Sequence, residues 1–113
     1  MSRKNHNGAL ATRQAPVFAA FGDTTRLLLI AKLSAGDSSS ISQLTSGSRL
    51  TRQAITKHLR VLQRAGVVHS VRSGRENRFQ LDPKPIDEMK SYLEFVSSQW
   101  DQALVRLKAF VEK

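Results

Sequence analysis

The sequence contains no cysteine, which removes disulfides, zinc–thiolate sites, iron–sulfur clusters and a thiol nucleophile from consideration. It also lacks long apolar runs. The longest, Val17 to Phe21 and Leu27 to Ala31, are five residues each, against the ~20 that a membrane-spanning helix needs. Arg3 and Lys4 resemble the charged start of an export signal, but Asn5 to Gly8 and Arg13 leave no apolar stretch behind them. These absences predict a cytoplasmic protein with no membrane partner. Acidic residues are scarce as well: 9 Asp and Glu stand against 18 Lys and Arg, for a net charge of +9. There is no Gly-rich phosphate loop, no HExxH and no close carboxylate pair in a plausible cleft, so no enzyme chemistry is expected.

What is present fits one domain. A chain of 113 residues, 40% apolar and 24% charged, suffices for a single globular core. Its charge is unevenly placed. Between Arg49 and Arg78 eight basic residues face Glu76 alone, a net of +7, whereas the stretch from Pro85 onward is close to neutral. A concentrated cationic segment of this kind is the electrostatic footprint of a nucleic-acid surface.

Periodicity divides the chain into elements. Residues 1–15, polar and basic, read as a flexible N-terminal arm, and 16–113 as the folded domain. Pro16 suits a first helical position ahead of Val17, Phe18 and Phe21. Asp23 then caps a helix from Thr24 to about Ala35 that is apolar on nearly every side, the expected central buried helix. Ser40 caps a short helix holding Ile41 and Leu44. After the break at Gly47 and Ser48, a helix from Thr51 or Arg52 to about Arg64 buries a stripe at Ala54, Ile55, Leu59, Leu62 and Ala65, and Gly66 closes it. Val67 to Arg72 and Glu76 to Leu81 read as a two-stranded hairpin turning at Gly74, with Arg75 at its tip. The final helix, from Pro85 to about Glu112, carries Ile86, Met89, Leu93, Val96, Trp100, Ala103, Leu107 and Phe110 in unbroken 3,4 spacing, the pattern of an interface seam.

Two helices joined by a short break, the second basic on its outer face, followed by a hairpin, describe a mainly α winged helix-turn-helix with a small β-hairpin wing. A helix fits the DNA major groove and presents its first turn to base edges. Arg52 and Gln53 lie there, with the chemistry to bridge guanine O6 and N7 or adenine N6 and N7. Thr51 and Thr56 suit a phosphate or a thymine methyl, while Lys57, Arg60, Arg72, Arg75 and Arg78 suit phosphate or minor-groove contacts that fix register. His58, next to the buried Leu59, is either packed or bonded to phosphate. The apolar seam is too long for so small a domain to cover, so a homodimer is expected through Leu93, Val96, Trp100, Ala103, Leu107 and Phe110, completed by Val17 and Phe21 of the first helix.

Taken together, Phe21-Gly22-Asp23-Thr24-Thr25-Arg26, the run Thr51-Arg52-Gln53-Ala54-Ile55-Thr56-Lys57-His58-Leu59, the segment Val61 to Val67, and the wing Arg75-Glu76-Asn77-Arg78-Phe79 with its Leu81-Asp82-Pro83 exit resemble the ArsR/SmtB family of bacterial winged-helix repressors. The resemblance covers about Val17 to Lys113. It implies a homodimer that represses from promoter DNA, often released by a metal or a small molecule. Thr45 departs from the alanine usual in that family. A larger departure is that family metal sites use paired cysteines near the first helix of the motif, or Asp and His pairs on the last helix. Here the only histidines are His6, His58 and His69. No metal site and no cofactor are therefore expected, and the inducing ligand stays open.

A basic RNA- or ribosome-binding protein is the alternative class. RNA modules stack bases on exposed aromatics among basic residues, and only Phe79 of the seven aromatics lies in the basic segment. A pure protein-interaction module would leave the charge of the second motif helix without a purpose.

Overall fold

In a computed structural model, described over residues 3–112, five helices accompany a small sheet. The order is α1 (Arg3–Phe21), α2 (Thr24–Ser34), β1 (Ser39–Ser40), α3 (Ile41–Thr45), α4 (Arg52–Arg64), β2 (Val68–Ser73), β3 (Glu76–Leu81) and α5 (Pro83–Val111). The sheet is antiparallel in the order β1-β3-β2.

Local chemistry sets most boundaries. Asp23 caps α2 by accepting from the Arg26 backbone N–H, and Ser40 and Gln43 form a reciprocal capping box on α3. Thr51 caps α4 through the Ala54 N–H. At the other end of α4, the Gly66 N–H donates to the Gln63 carbonyl and the Val67 N–H to the Leu62 carbonyl. This Schellman pair needs Gly66 at φ 79°. It also turns Val67 into the core, where Val67 and Leu62 are fully buried. The wing hairpin pairs Val68 with Leu81 through Ser73 with Glu76, leaving Gly74 and Arg75 as its two-residue loop. Positive φ at Gly74 alone is the type II′ pattern.

Four expectations need correction. First, α1 does not start at Pro16: it begins at Arg3 and passes through Pro16, across the boundary expected between residues 15 and 16. Met1 and Ser2 of the expected arm lie outside the described residues. The reason is packing on both sides of the proline. Gln14 is buried and donates from Nε2 to Glu88 Oε2 of α5 at 3.2 Å, and Val17, Ala20 and Phe21 contact the core one turn on. A helix held at both ends tolerates the one hydrogen bond that Pro16 cannot make. Gln14 Oε1 is the one buried side-chain oxygen among the described residues without a partner.

Second, α2 is not wrapped by protein: Leu29 and Leu33 are buried, but Leu27 and Leu28 are 50% and 61% exposed. Third, the hairpin is one side of a three-stranded sheet, because Ser39 and Ser40 pair with Phe79 and Arg78. Fourth, Val17, expected at an interface between protomers, is 4% exposed inside its own core, beside a half-buried Phe21.

The core joins Val17 and Ala20 of α1, Leu29 and Leu33 of α2, Leu44 of α3, the Ile55-Leu59-Leu62 stripe of α4, Val67, Val68, Phe79 and Met89. Only the start of α5 belongs to it. Met89 is buried, Ile86 half-buried, and Tyr92 meets Phe18 edge-to-face at 5.9 Å. Beyond Tyr92, α5 leaves its own domain, and every residue from Leu93 to Glu112 except Ala103 is exposed. Among the described residues no helix is long and apolar enough to cross a membrane.

Candidate nucleic-acid interface

The stripe of Ile55, Leu59 and Leu62 fixes which way α4 faces, because burying it turns the intervening residues outward. Arg52, Gln53, Thr56, Lys57 and Arg60 consequently line one surface groove. Arg52, Gln53, Lys57 and Arg60 are exposed, while Thr56 is half-buried with its hydroxyl donating to the Arg52 carbonyl at 2.8 Å. Thr51 is exposed, but its Oγ1 accepts the capping bond from Ala54. Its first role is therefore to start the helix.

A second cavity joins α4 to the wing. It is lined by Arg52 together with Ser42 of α3 and Ser73, Arg75, Glu76 and Asn77 of the hairpin, among others, and holds about 670 Å³. Arg52 and Arg75, 23 positions apart in the chain, thus share one polar cleft. Ser42 and Asn77 were not expected there. Their only sequence signal is hydrogen-bonding character next to a helix start and a hairpin turn, and that is too common to single them out.

The hairpin arginines divide. Arg75 is exposed at the tip, and Arg72 is exposed with Nε directed to the Gly74 carbonyl at 3.4 Å. Arg78 points inward instead. Its guanidinium donates to Ser38 Oγ at 2.8 Å, the Ser38 carbonyl at 2.9 Å, Gln43 Oε1 at 3.0 Å and Glu76 Oε1 at 2.6 Å. With its donors already engaged, Arg78 ties the wing to β1 and α3 and has little left for a phosphate. The expectation of Arg78 as a phosphate contact is corrected accordingly.

His58 also turns toward its own fold. Its Nδ1 lies 3.4 Å from Arg26 Nη1 and 3.7 Å from Asp23 Oδ2, and the Arg26 Nε donates to the Ala20 carbonyl at 2.6 Å. The packed reading of His58 therefore fits better than the phosphate reading. Arg26, which sequence reasoning passed over, links the end of α1, the cap of α2 and the middle of α4. The Asp23 carboxyl is held below its ordinary value chiefly by the Arg26 backbone N–H, which outweighs the opposing effect of burial, with lesser help from the nearby His58 and Arg26 side chains. No group of three or more His, Cys, Asp or Glu placed to hold a metal ion occurs among the described residues.

A core-braced helix with a cationic outer face, next to an arginine-tipped hairpin that shares a cleft with its first turn, defines a winged helix-turn-helix DNA-binding protein. The comparisons with known proteins agree. An uncharacterized HTH-type transcriptional regulator of Bacillus subtilis is 35% identical over 85 residues, covering 69% of this chain and 92% of that protein. The structure of an ArsR-like transcriptional regulator from a Rhodococcus species is 35% identical with a TM-score of 0.80, covering 90% of this chain and 93% of that one. A homodimeric winged helix-turn-helix DNA-binding domain from Mycobacterium bovis, described as a possible ArsR-family regulator, shares the fold at 19% identity. Its TM-score is 0.65, with 92% and 91% of the two chains covered. No protein-family model matches the chain. The chain belongs to the ArsR family of helix-turn-helix transcriptional regulators.

Proposed function

We propose that the protein is a homodimeric repressor that binds an inverted-repeat operator. The observation that carries this reading is the shared cleft of Arg52 and Arg75, which brings the first turn of α4 and the tip of the hairpin to one face. Arg52 and Gln53 read base edges, and Lys57, Arg60, Arg72 and Arg75 engage phosphates and set register. Phe79 is buried, so the basic segment offers no aromatic platform on which an RNA base would stack. That favours duplex DNA over the RNA alternative.

The dimer is built on the exposed strip of α5. Leu93, Val96, Trp100, Leu107 and Phe110 are 43% to 78% exposed, and a strip of that size calls for a partner. A second copy is the simplest one, since a two-fold axis makes the strip its own complement. The Mycobacterium bovis domain of the same fold is homodimeric, which supports a dimer here as well. Two recognition helices related by that axis reach half-sites about 34 to 36 Å apart. Repression follows the family resemblance: a dimer seated on promoter DNA blocks access to it. The test is selection of bound duplexes from a random library followed by a promoter reporter. An inverted repeat and lowered reporter output are expected. Enrichment of no motif, or of a single unpaired half-site, refutes the reading.

A further inference from the structure

A third cavity lies apart from the DNA-facing surface, between α2, the end of α3 and the turn that leads into α4. It holds about 660 Å³, within the ~300 to 1,000 Å³ range of small-molecule sites. Its walls are mostly apolar: Leu28, Leu29, Leu44, Leu50 and Ile55. Leu28 is 61% exposed on a helix that buries Leu29 and Leu33, and Leu50 is 36% exposed. Among the described residues nothing covers the exposed part of their apolar surface.

Two cations line this cavity, Lys32 from α2 and Arg49 from the turn that faces it, and no carboxylate does. Among the described residues neither is paired to an acid. Lys32 Nζ reaches only the carbonyls of Leu44 at 3.2 Å and Ser46 at 3.4 Å. An apolar chamber with unneutralised positive charge at its wall favours a ligand with an apolar body and one negative charge. A neutral hydrocarbon would leave the cations unanswered, and a small inorganic anion would leave the leucines wet.

The chamber also lies where an occupant would be felt. α2 is anchored by Leu29 and Leu33 in the core, whereas the opposite wall is the 47–50 turn, and the turn leads directly into Thr51 and Arg52. Leu50 precedes the Thr51 cap and Ile55 is the fourth helical residue, the two positions of a hydrophobic staple that sets how the chain enters a helix. A ligand between α2 and that staple would press on the segment that sets the first turn of α4, where Arg52 and Gln53 are placed.

We propose that this cavity binds a small organic anion with an apolar body, of the aromatic or medium-chain carboxylate class, and that occupancy weakens DNA binding. The coupling rests on the DNA reading above; the binding does not. The test is amide chemical-shift mapping of the free protein titrated with 2-naphthoate and, separately, with neutral 2-naphthamide. Saturable shifts centred on Leu28, Gly47, Leu50 and Ile55 are expected, with the acid binding about tenfold tighter than the amide. Leu28→Glu, at an exposed position, should abolish the shifts with unchanged circular dichroism, and Arg49→Gln should bring acid and amide together.

Shifts that are absent, that fall only on α5, or that survive Leu28→Glu overturn the site. A chamber already filled by a second copy of the chain would give no saturable shifts and overturns it equally. Equal binding of acid and amide overturns the anionic class. Saturating naphthoate should lower affinity for the selected duplex about tenfold, and by linkage the duplex should weaken naphthoate by the same factor. Unchanged DNA affinity at a confirmed site overturns the coupling. Absence of any preferred duplex overturns the DNA reading and the coupling with it, while the binding result stands.

Discussion

Replacing Leu107 by glutamate tests the dimer most directly, because Leu107 makes no contribution to the core of its own chain. Its side chain is 58% exposed, which leaves on the order of 100 Å² of apolar surface for a partner to cover. At ~25 cal/mol per Å² that is about 2.5 kcal/mol per protomer and about 5 kcal/mol per symmetric dimer. Glutamate forfeits this and also forces carboxylates out of water near the two-fold axis, which adds to the penalty. Since ~1.4 kcal/mol is a factor of ten, the dimer should weaken by about a thousandfold or more. Trp100 is the only tryptophan and lies seven residues away on the same seam, 65% exposed in the single chain, so its emission reports the contact. Wild-type protein should sediment as a dimer at micromolar concentration with blue-shifted emission that moves red on dilution. Leu107→Glu should sediment as a monomer with red emission, an unchanged far-ultraviolet circular dichroism spectrum and DNA affinity reduced by orders of magnitude. A wild-type chain that sediments as a monomer, or a variant that remains dimeric with Trp100 still shielded, would refute the reasoning.

On the selected duplex, Arg52→Ala and Gln53→Ala should each cost about 1 to 3 kcal/mol and less on random DNA, whereas Arg75→Ala should weaken both alike and reduce the salt slope by about 1. Equal losses on both duplexes for all three would remove the assigned roles. Arg78→Ala should act on stability instead, lowering the free energy of unfolding in urea by about 1 to 3 kcal/mol through the lost wing anchor while leaving base preference unchanged. Because the Asp23 carboxyl is held below its ordinary value, its contribution is present above the unfolded carboxylate range and is lost as pH falls through the depressed folded value. Asp23→Asn should therefore flatten the acid limb of a stability profile, and an unaltered limb would show that the cap is not responsible. Zinc, copper or nickel titrated against the protein on its operator, with chelator as the control, should leave affinity unchanged. A stoichiometric metal effect above about tenfold would reveal ligands that the residue pattern does not suggest.

The parts of this protein that were legible in its sequence are those set by neighbours along the chain. The caps at Asp23 and Ser40, the stop at Gly66, the wing turn at Gly74 and the buried stripe of α4 all arise from interactions within a few residues, so spacing and residue type suffice to read them. The cationic outer face of α4 follows from the same periodicity. Where the reading failed, the deciding contact lay far away in the chain. Gln14 reaches Glu88 of α5, and that contact, with the packing of Val17 just beyond, holds α1 helical across a proline that local rules make a helix start. Arg78 is indistinguishable by composition from Arg72 and Arg75, and only the pairing of β1 with β3 brings Ser38 and Gln43 within its reach. Leu27 and Leu28 are as apolar as Leu29, yet which leucines a helix buries depends on where its neighbours stand. Sequence alone therefore determined the capped helices, the wing turn and their chemistry, because helix capping and turn formation are local, but not the start of α1 or the strand β1. Tertiary structure decided which of several equivalent side chains face inward, because burial depends on elements that meet only after the chain has folded.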